Sequence, residues 1–222
     1  MNLIQESFQR LFPDTEFKYK PVLEYNRRLG NFNANIALRS HTLKVNMNLQ
    51  WKDIDSEIKI GLIQYLLLKL FNARKQTQNL ELYASFIKQI PLLTPKTKTD
   101  PLLEASFDRI NQRFFHAQME KPNLRWGQQS CRKLASYNLH NDTITVSTLF
   151  TDVGQEVLDY LMYHELLHKH FKFKQRNGRS RFHTHEFKEA EKLYPGQQHV
   201  EQELNNIIMK KRKKKTMFTR FF

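Results

Sequence analysis

Gly154-Gln155-Glu156-Val157-Leu158-Asp159-Tyr160-Leu161-Met162-Tyr163-His164-Glu165-Leu166-Leu167-His168-Lys169-His170-Phe171-Lys172-Phe173 is the stretch on which the reading of this chain turns. Its apolar content predicts a helix over about 154–173, with Asp152 just ahead as a candidate cap. On that helix His164 and His168 stand four apart and project from one face. Two imidazoles in that relation can reach one Zn²⁺ at about 2.0–2.1 Å. Glu165, beside the first His, points to the flank of the metal. There it can accept the proton of an activated water and return it to a leaving amine. The competing reading is a surface helix that carries His and Glu without metal, and nine histidines in the chain give it weight.

A third ligand has four candidates: His170, His183, His185 and His199. His170 is two residues past His168 and faces away on a helix. His183 and His185 flank Thr184 at the entry to a further helix, and the spacing alone leaves both open. The single cysteine, Cys131, excludes an internal disulfide and a four-Cys zinc ribbon, so a zinc here needs His and carboxylate ligands. The lone cysteine and the absence of a leader-like N-terminus or a spanning apolar run predict a soluble, cytoplasmic protein.

Outward from the motif, the chain reads as two copies of one unit. Ser7-Phe8-Gln9-Arg10-Leu11 recurs as Ser106-Phe107-Asp108-Arg109-Ile110, and Lys20-Pro21 as Lys121-Pro122. Ala34, Leu38, Thr42 and Val45 fall opposite Ala135, Leu139, Thr143 and Val146, and Leu66 to Phe71 fall opposite Leu166 to Phe171. A near-constant offset over separate stretches is hard to obtain by chance. Each unit reads as a helix, a strand, a hairpin, a long apolar helix and a final helix. The predicted hairpin turns are Ser40-His41 and Asn141-Asp142, and Asp53 is the expected cap of the first long helix. The proline-rich stretch from Pro91 to Pro101 reads as the linker. The predicted class is α+β, with helices on small, mostly antiparallel sheets. The predicted domains are 1–97, 98–208 and a basic tail, 209–222. Opposite His164, Glu165, His168 and His183 stand Gln64, Tyr65, Leu68 and Leu82, so the first copy has none of the metal-binding types.

The formal net charge is +14. Residues 209–222 hold seven basic and no acidic side chains, and the run Lys210 to Lys215 reads as an arm too charged to fold alone. Such charge favours DNA or another polyanion, and the surplus over residues 1–97 points the same way. The loop between Lys172 and Phe182 also interleaves basic residues with Phe173 and Phe182. Its alternatives are a loop that binds a nucleic-acid backbone or selects acidic substrates, and a plain solvated loop with two core Phe.

HELLH, followed after fourteen residues by His183-Thr184-His185-Glu186-Phe187, resembles the SprT-like metallopeptidases. These include the Spartan proteases of DNA–protein crosslink repair, and the family pattern is HExxH followed by His-Gly-x-x-Phe. Trp126-Gly127 and the hairpin ending Ile144-Thr145-Val146 also resemble this family and its YgjP-like relatives. The resemblance spans about 125–195. It implies a zincin-like minimal metallopeptidase domain, with His183 as third zinc ligand and Phe187 as the apolar anchor of its helix. Thr184 replaces the family's glycine, which keeps His185 in view. The resemblance also implies that the strand Thr143 to Ser147 is the edge on which a peptide substrate aligns. The leading expectation is a zinc endopeptidase acting on protein near DNA. The alternatives are a nucleic-acid-binding protein with structural or vestigial zinc, and a peptidase with no nucleic-acid role.

Overall fold

Leu43, Val45 and Met47 alternate with Lys44 and Asn46, so an extended chain turns all three apolar side chains to one face, where they are fully buried. That strand is the centre of the first of two similar sheets. The computed structural model describes residues 2–177 and 179–218, the side chains of 175, 176 and 213–218 excepted. The chain divides into one unit made of Met1–Leu93 with Lys174–Arg181, and another made of Thr94–Phe173 with Phe182–Phe222.

The first unit runs α1 (Leu3–Leu11), β1 (Lys20–Tyr25), β2 (Ala34–Arg39), β3 (Thr42–Met47), a 3-10 turn, α2 (Ser56–Leu70) and α3 (Gln78–Leu93). The strand order is β1-β3-β2, with β1 parallel and β2 antiparallel to β3. Ile4, Phe8 and Leu11, spaced at helical intervals, are buried on the inner side of α1. Gly61 lets α2 meet α3 closely: a Cβ there would lie 2.0 Å from the carbonyl oxygen of Asn79.

The second unit runs α4 (Pro101–Phe115), β4 (Asn123–Gly127), β5 (Ala135–Asn138), β6 (Thr143–Ser147), a 3-10 turn and α5 (Gln155–Phe171), and closes with α6 (His185–Lys192) and α7 (Gln197–Phe218). Its sheet has the order β4-β6-β5, again with one parallel and one antiparallel pair. α4 and α5 are fastened by Asp159, which accepts from Arg109 Nε at 2.9 Å, Arg109 Nη2 at 2.7 Å and Ser106 Oγ at 2.6 Å. Between α5 and α6 a small hairpin, β7 (Lys174–Arg176) with β8 (Arg179–Arg181), groups with the first unit. There the Asn177 N–H donates to Gln76 Oε1 and Arg179 Nη2 to Asn72 Oδ1.

Several expectations need correction. The sheets are mixed rather than mostly antiparallel, because the central strand of each is the last to arrive and slots between the two already laid down. That places β6 in the middle, paired on both sides, so it cannot be a free edge for a peptide. The second hairpin turns over residues 139–142, not over Asn141-Asp142 alone, since Asn138 pairs with Thr143. Aligned by strand register, the expected repeat also pairs differently. Lys20 lies opposite Thr42 and Asn123 opposite Thr143, so Asn123, not Lys121, holds the place of Lys20. In the same way Ala135 holds the place of Ile36 rather than Ala34.

The predicted linker is partly helix, since α3 runs through Pro91 to Leu93. Thr97 and Lys98 then donate backbone N–H groups to Asn123 Oδ1, and Lys98 O accepts from Leu124, which ties this stretch to β4. Asp55, not Asp53, caps α2 by accepting from the Glu57 N–H, and Gly154, not Asp152, occupies the N-cap of α5. The backbone of the expected arm is helical as far as Phe218. Val200 and Leu204 bury the start of α7 in the core, and Lys and Arg are themselves good helix formers. The side chains of Lys213 to Lys215 lie outside the described residues.

Candidate metal centre

Helix α5 is apolar because most of it is core: Val157, Leu158, Leu161, Met162, Leu166 and Leu167 are buried. This packing fixes its rotation and turns His164 and His168 toward α6. The chain leaves α5 at Lys172, whose left-handed φ of 54° breaks the helix, and returns at Phe182 and His183. Thr184 then caps α6: its hydroxyl accepts from the Phe187 N–H at 3.3 Å and is buried there. A threonine therefore has a local task at the position where the resembled family has glycine.

The three imidazoles of His164, His168 and His183 converge, each offering a ligand atom within 4.8 Å of the others. Fully buried Phe187 forms the floor, its ring centroid 5.2, 4.7 and 4.8 Å from those of His164, His168 and His183. His185, the first residue of α6, is exposed and not part of this cluster, and His170 and His199 are exposed as well. Of the four third-ligand candidates, the fold brings His183 alone to the pair on α5.

Burial shifts two of the three imidazoles toward the neutral form that a metal needs. Burial, then the charges of His164 and His183, push His168 down to about 4. Burial and His164 likewise lower His183. Burial also works to lower His164, but a hydrogen bond to Glu191 and the charge of Glu165 overcome it and leave it raised. His164 Nδ1 donates to Glu191 Oε1 at 2.6 Å, so in the neutral ring the free lone pair sits on Nε2. That hydrogen bond in turn lowers the Glu191 carboxyl. Glu165 is nearly fully buried; burial raises its carboxyl to about 7, against the opposing pull of His164 and the Tyr137 amide. The Tyr137 N–H donates to this carboxylate, while Glu165 Oε2 finds no hydrogen-bond partner among the described residues. His168 Nδ1 is buried and unpartnered as well. An all-nitrogen donor set, two of its imidazoles shifted toward the neutral form, and an orphaned buried carboxylate oxygen beside it fit a divalent zinc held by His164, His168 and His183.

Glu191 was not legible as a site residue, although it stands one helical turn past Phe187 and thus on the same face of α6. A carboxylate behind a ligating imidazole orients the ring and raises its basicity. Glu191→Ala is expected to weaken zinc binding about 10–100-fold with the fold intact, as read by competition with a chromophoric chelator. The hydroxyl of Tyr163, just ahead of the motif, is taken up by the fold: it donates to Ala190 O at 2.6 Å.

Residues 103–205 match the SprT-like family. Two solved structures are similar to part of the chain. One is the crystal structure of the metallopeptidase zymogen of Pyrococcus abyssi abylysin, at 21% identity and a TM-score of 0.36, over 49% of this chain and 93% of that one. The other is the metallopeptidase zymogen of Methanocaldococcus jannaschii jannalysin, at 20% identity and a TM-score of 0.38, over 53% of this chain and 94% of that one. A search of curated proteins finds no match. Among the described residues no helix is long and apolar enough to cross a membrane.

Proposed function

We propose that the segment matching the SprT-like family is a zinc-dependent endopeptidase acting on protein substrates, with His164, His168 and His183 as ligands and Glu165 as general base and acid. The observation that carries this is the convergence of three imidazoles beside a buried carboxyl raised to about 7. When bound, zinc supplies a Lewis acid that polarises a peptide carbonyl and makes water acidic enough to deprotonate near neutral pH. The protein's part is proton transfer. A carboxyl near 7 is matched both to take a proton and to give one at neutral pH. The Tyr137 N–H fixes one oxygen of Glu165 and leaves Oε2 free. Oε2 takes the proton of the attacking water and passes it to the amide nitrogen that leaves. Of the two sheet edges, β5 is the one beside Glu165, so we assign peptide alignment to β5 in place of β6.

The first unit, in this reading, is a copy of the same ancestral unit that has lost its metal residues. Its support is the shared order of elements and the shared strand order and pairing sense. Gln64, at the place of His164, is fully buried and accepts from Thr77 Oγ1 at 2.5 Å, and Leu68, at the place of His168, is core. The basic end of α7 is assigned to polyanion binding, DNA being the form the family resemblance implies; exposed Lys210, Lys211 and Arg212 support it. One unpaired cysteine favours a reducing, cytoplasmic compartment.

A casein-cleavage assay tests this reading. Purified protein is expected to carry about one zinc per chain and to lose cleavage on chelation. Single-stranded DNA is expected to change the rate of the full chain and not of a chain lacking 209–222. Absence of zinc or of cleavage defeats the peptidase reading. Cleavage indifferent to DNA in both chains defeats the polyanion role and leaves a peptidase without one.

A further inference from the structure

Asp142 is a fully buried carboxylate that the chemistry above does not use. It holds an unusual set of partners. Lys169 Nζ donates to both its oxygens, at 2.6 and 2.7 Å, and the Tyr137 hydroxyl donates to Oδ1 at 2.7 Å. Lys96 forms a further ion pair with Oδ2. Burying a carboxylate among two ammonium groups is costly unless the geometry is well satisfied, and removing one partner leaves a charge stranded.

The partners close a ring. Lys169 stands four residues past Glu165 on α5, hence on the same face of the helix. Asp142 ends the loop of the β5–β6 hairpin and has a left-handed φ of 41°. Tyr137 on β5 joins the two: its hydroxyl is held by Asp142, and its backbone N–H holds Glu165. We propose that Asp142, Lys169 and the Tyr137 hydroxyl form a clamp that fixes β5 against α5 and so positions the carboxylate of Glu165, making them positioning residues rather than catalytic ones. Only the catalytic role of Glu165 in this inference rests on the peptidase reading.

The test begins on metal-free protein, by amide hydrogen exchange of residue 137 read by NMR. In Tyr137→Phe and Lys169→Met this amide is expected to exchange about tenfold faster, while the amides of the central strand β6 keep their protection. Lys169→Arg is expected to retain most of the protection. In zinc-loaded protein the first two variants are expected to lose about tenfold in kcat with zinc content unchanged. The clamp is overturned if the residue 137 amide exchanges as in the wild type. It is equally overturned if the β6 amides lose protection in parallel, because the cluster is then a general staple. Should Lys169→Met fail to fold, Tyr137→Phe, which removes one hydroxyl, decides by the same criteria. If the wild type cleaves nothing, the peptidase reading fails while the exchange data still judge the clamp.

Discussion

Glu165→Gln is expected to abolish cleavage, by a factor of about 10²–10⁴ in kcat, and to leave zinc bound at one per chain. The substitution keeps the shape of the side chain and an oxygen for the Tyr137 N–H that now holds the carboxylate. It removes only the capacity to carry a proton. Stability should not suffer, since the wild-type residue is a buried carboxyl whose ionised form burial disfavours. The pair of measurements is metal content by elemental analysis and turnover of casein. A variant that keeps zinc and cleaves at the wild-type rate rejects Glu165 as proton carrier, and with it the mechanism given above. A loss of both zinc and cleavage would instead make Glu165 part of the metal-holding structure.

What could be read from the chain before folding follows a physical divide. The relation of His164, Glu165 and His168 depends only on helix periodicity, so it was legible from their spacing. Phe187 was marked by resemblance, and its place beneath three imidazoles follows from capping of α6 by Thr184 two residues after the chain's return. The elements of the first unit and the helix–strand–hairpin–helix order that opens the second were also legible, because the apolar periods of two and of 3.6 are local properties, whereas β7, β8 and α7 were not read. Glu191 and Asp142 were not, since their roles depend on which elements become neighbours. Asp142 in particular was read as a turn residue, a fair reading of an Asn-Asp pair. Its side chain is instead drawn inward by Lys96 and Lys169, one before α4 and one on α5. That inward pull accompanies the longer loop of the second hairpin. Strand order was missed for a similar reason: sequence shows that three strands exist, but not that the last one inserts between the other two.

The third ligand gives the sharper test of the site. His183→Ala is expected to weaken zinc binding by more than the roughly 10–100-fold that loss of an outer partner produces. His185→Ala is expected to leave binding unchanged. A single residue separates them, and both are exposed, so composition and accessibility do not distinguish them. The difference lies in Thr184. As N-cap of α6 it is in the extended region, at φ −76° and ψ 177°, so the residue before it is still in the incoming chain. His183 on that chain reaches the rings of His168 and His164, at 4.8 and 5.5 Å between centroids. His185 is already the first residue of the helix and stands outside the cluster. Binding is measured by competition with a chelator of known affinity, and circular dichroism verifies that each variant is folded. A folded His183→Ala that binds zinc as tightly as the wild type would remove His183 from the site. If His185→Ala then lost the metal, the entry to α6 would have to rearrange on binding, with Thr184 giving up its cap.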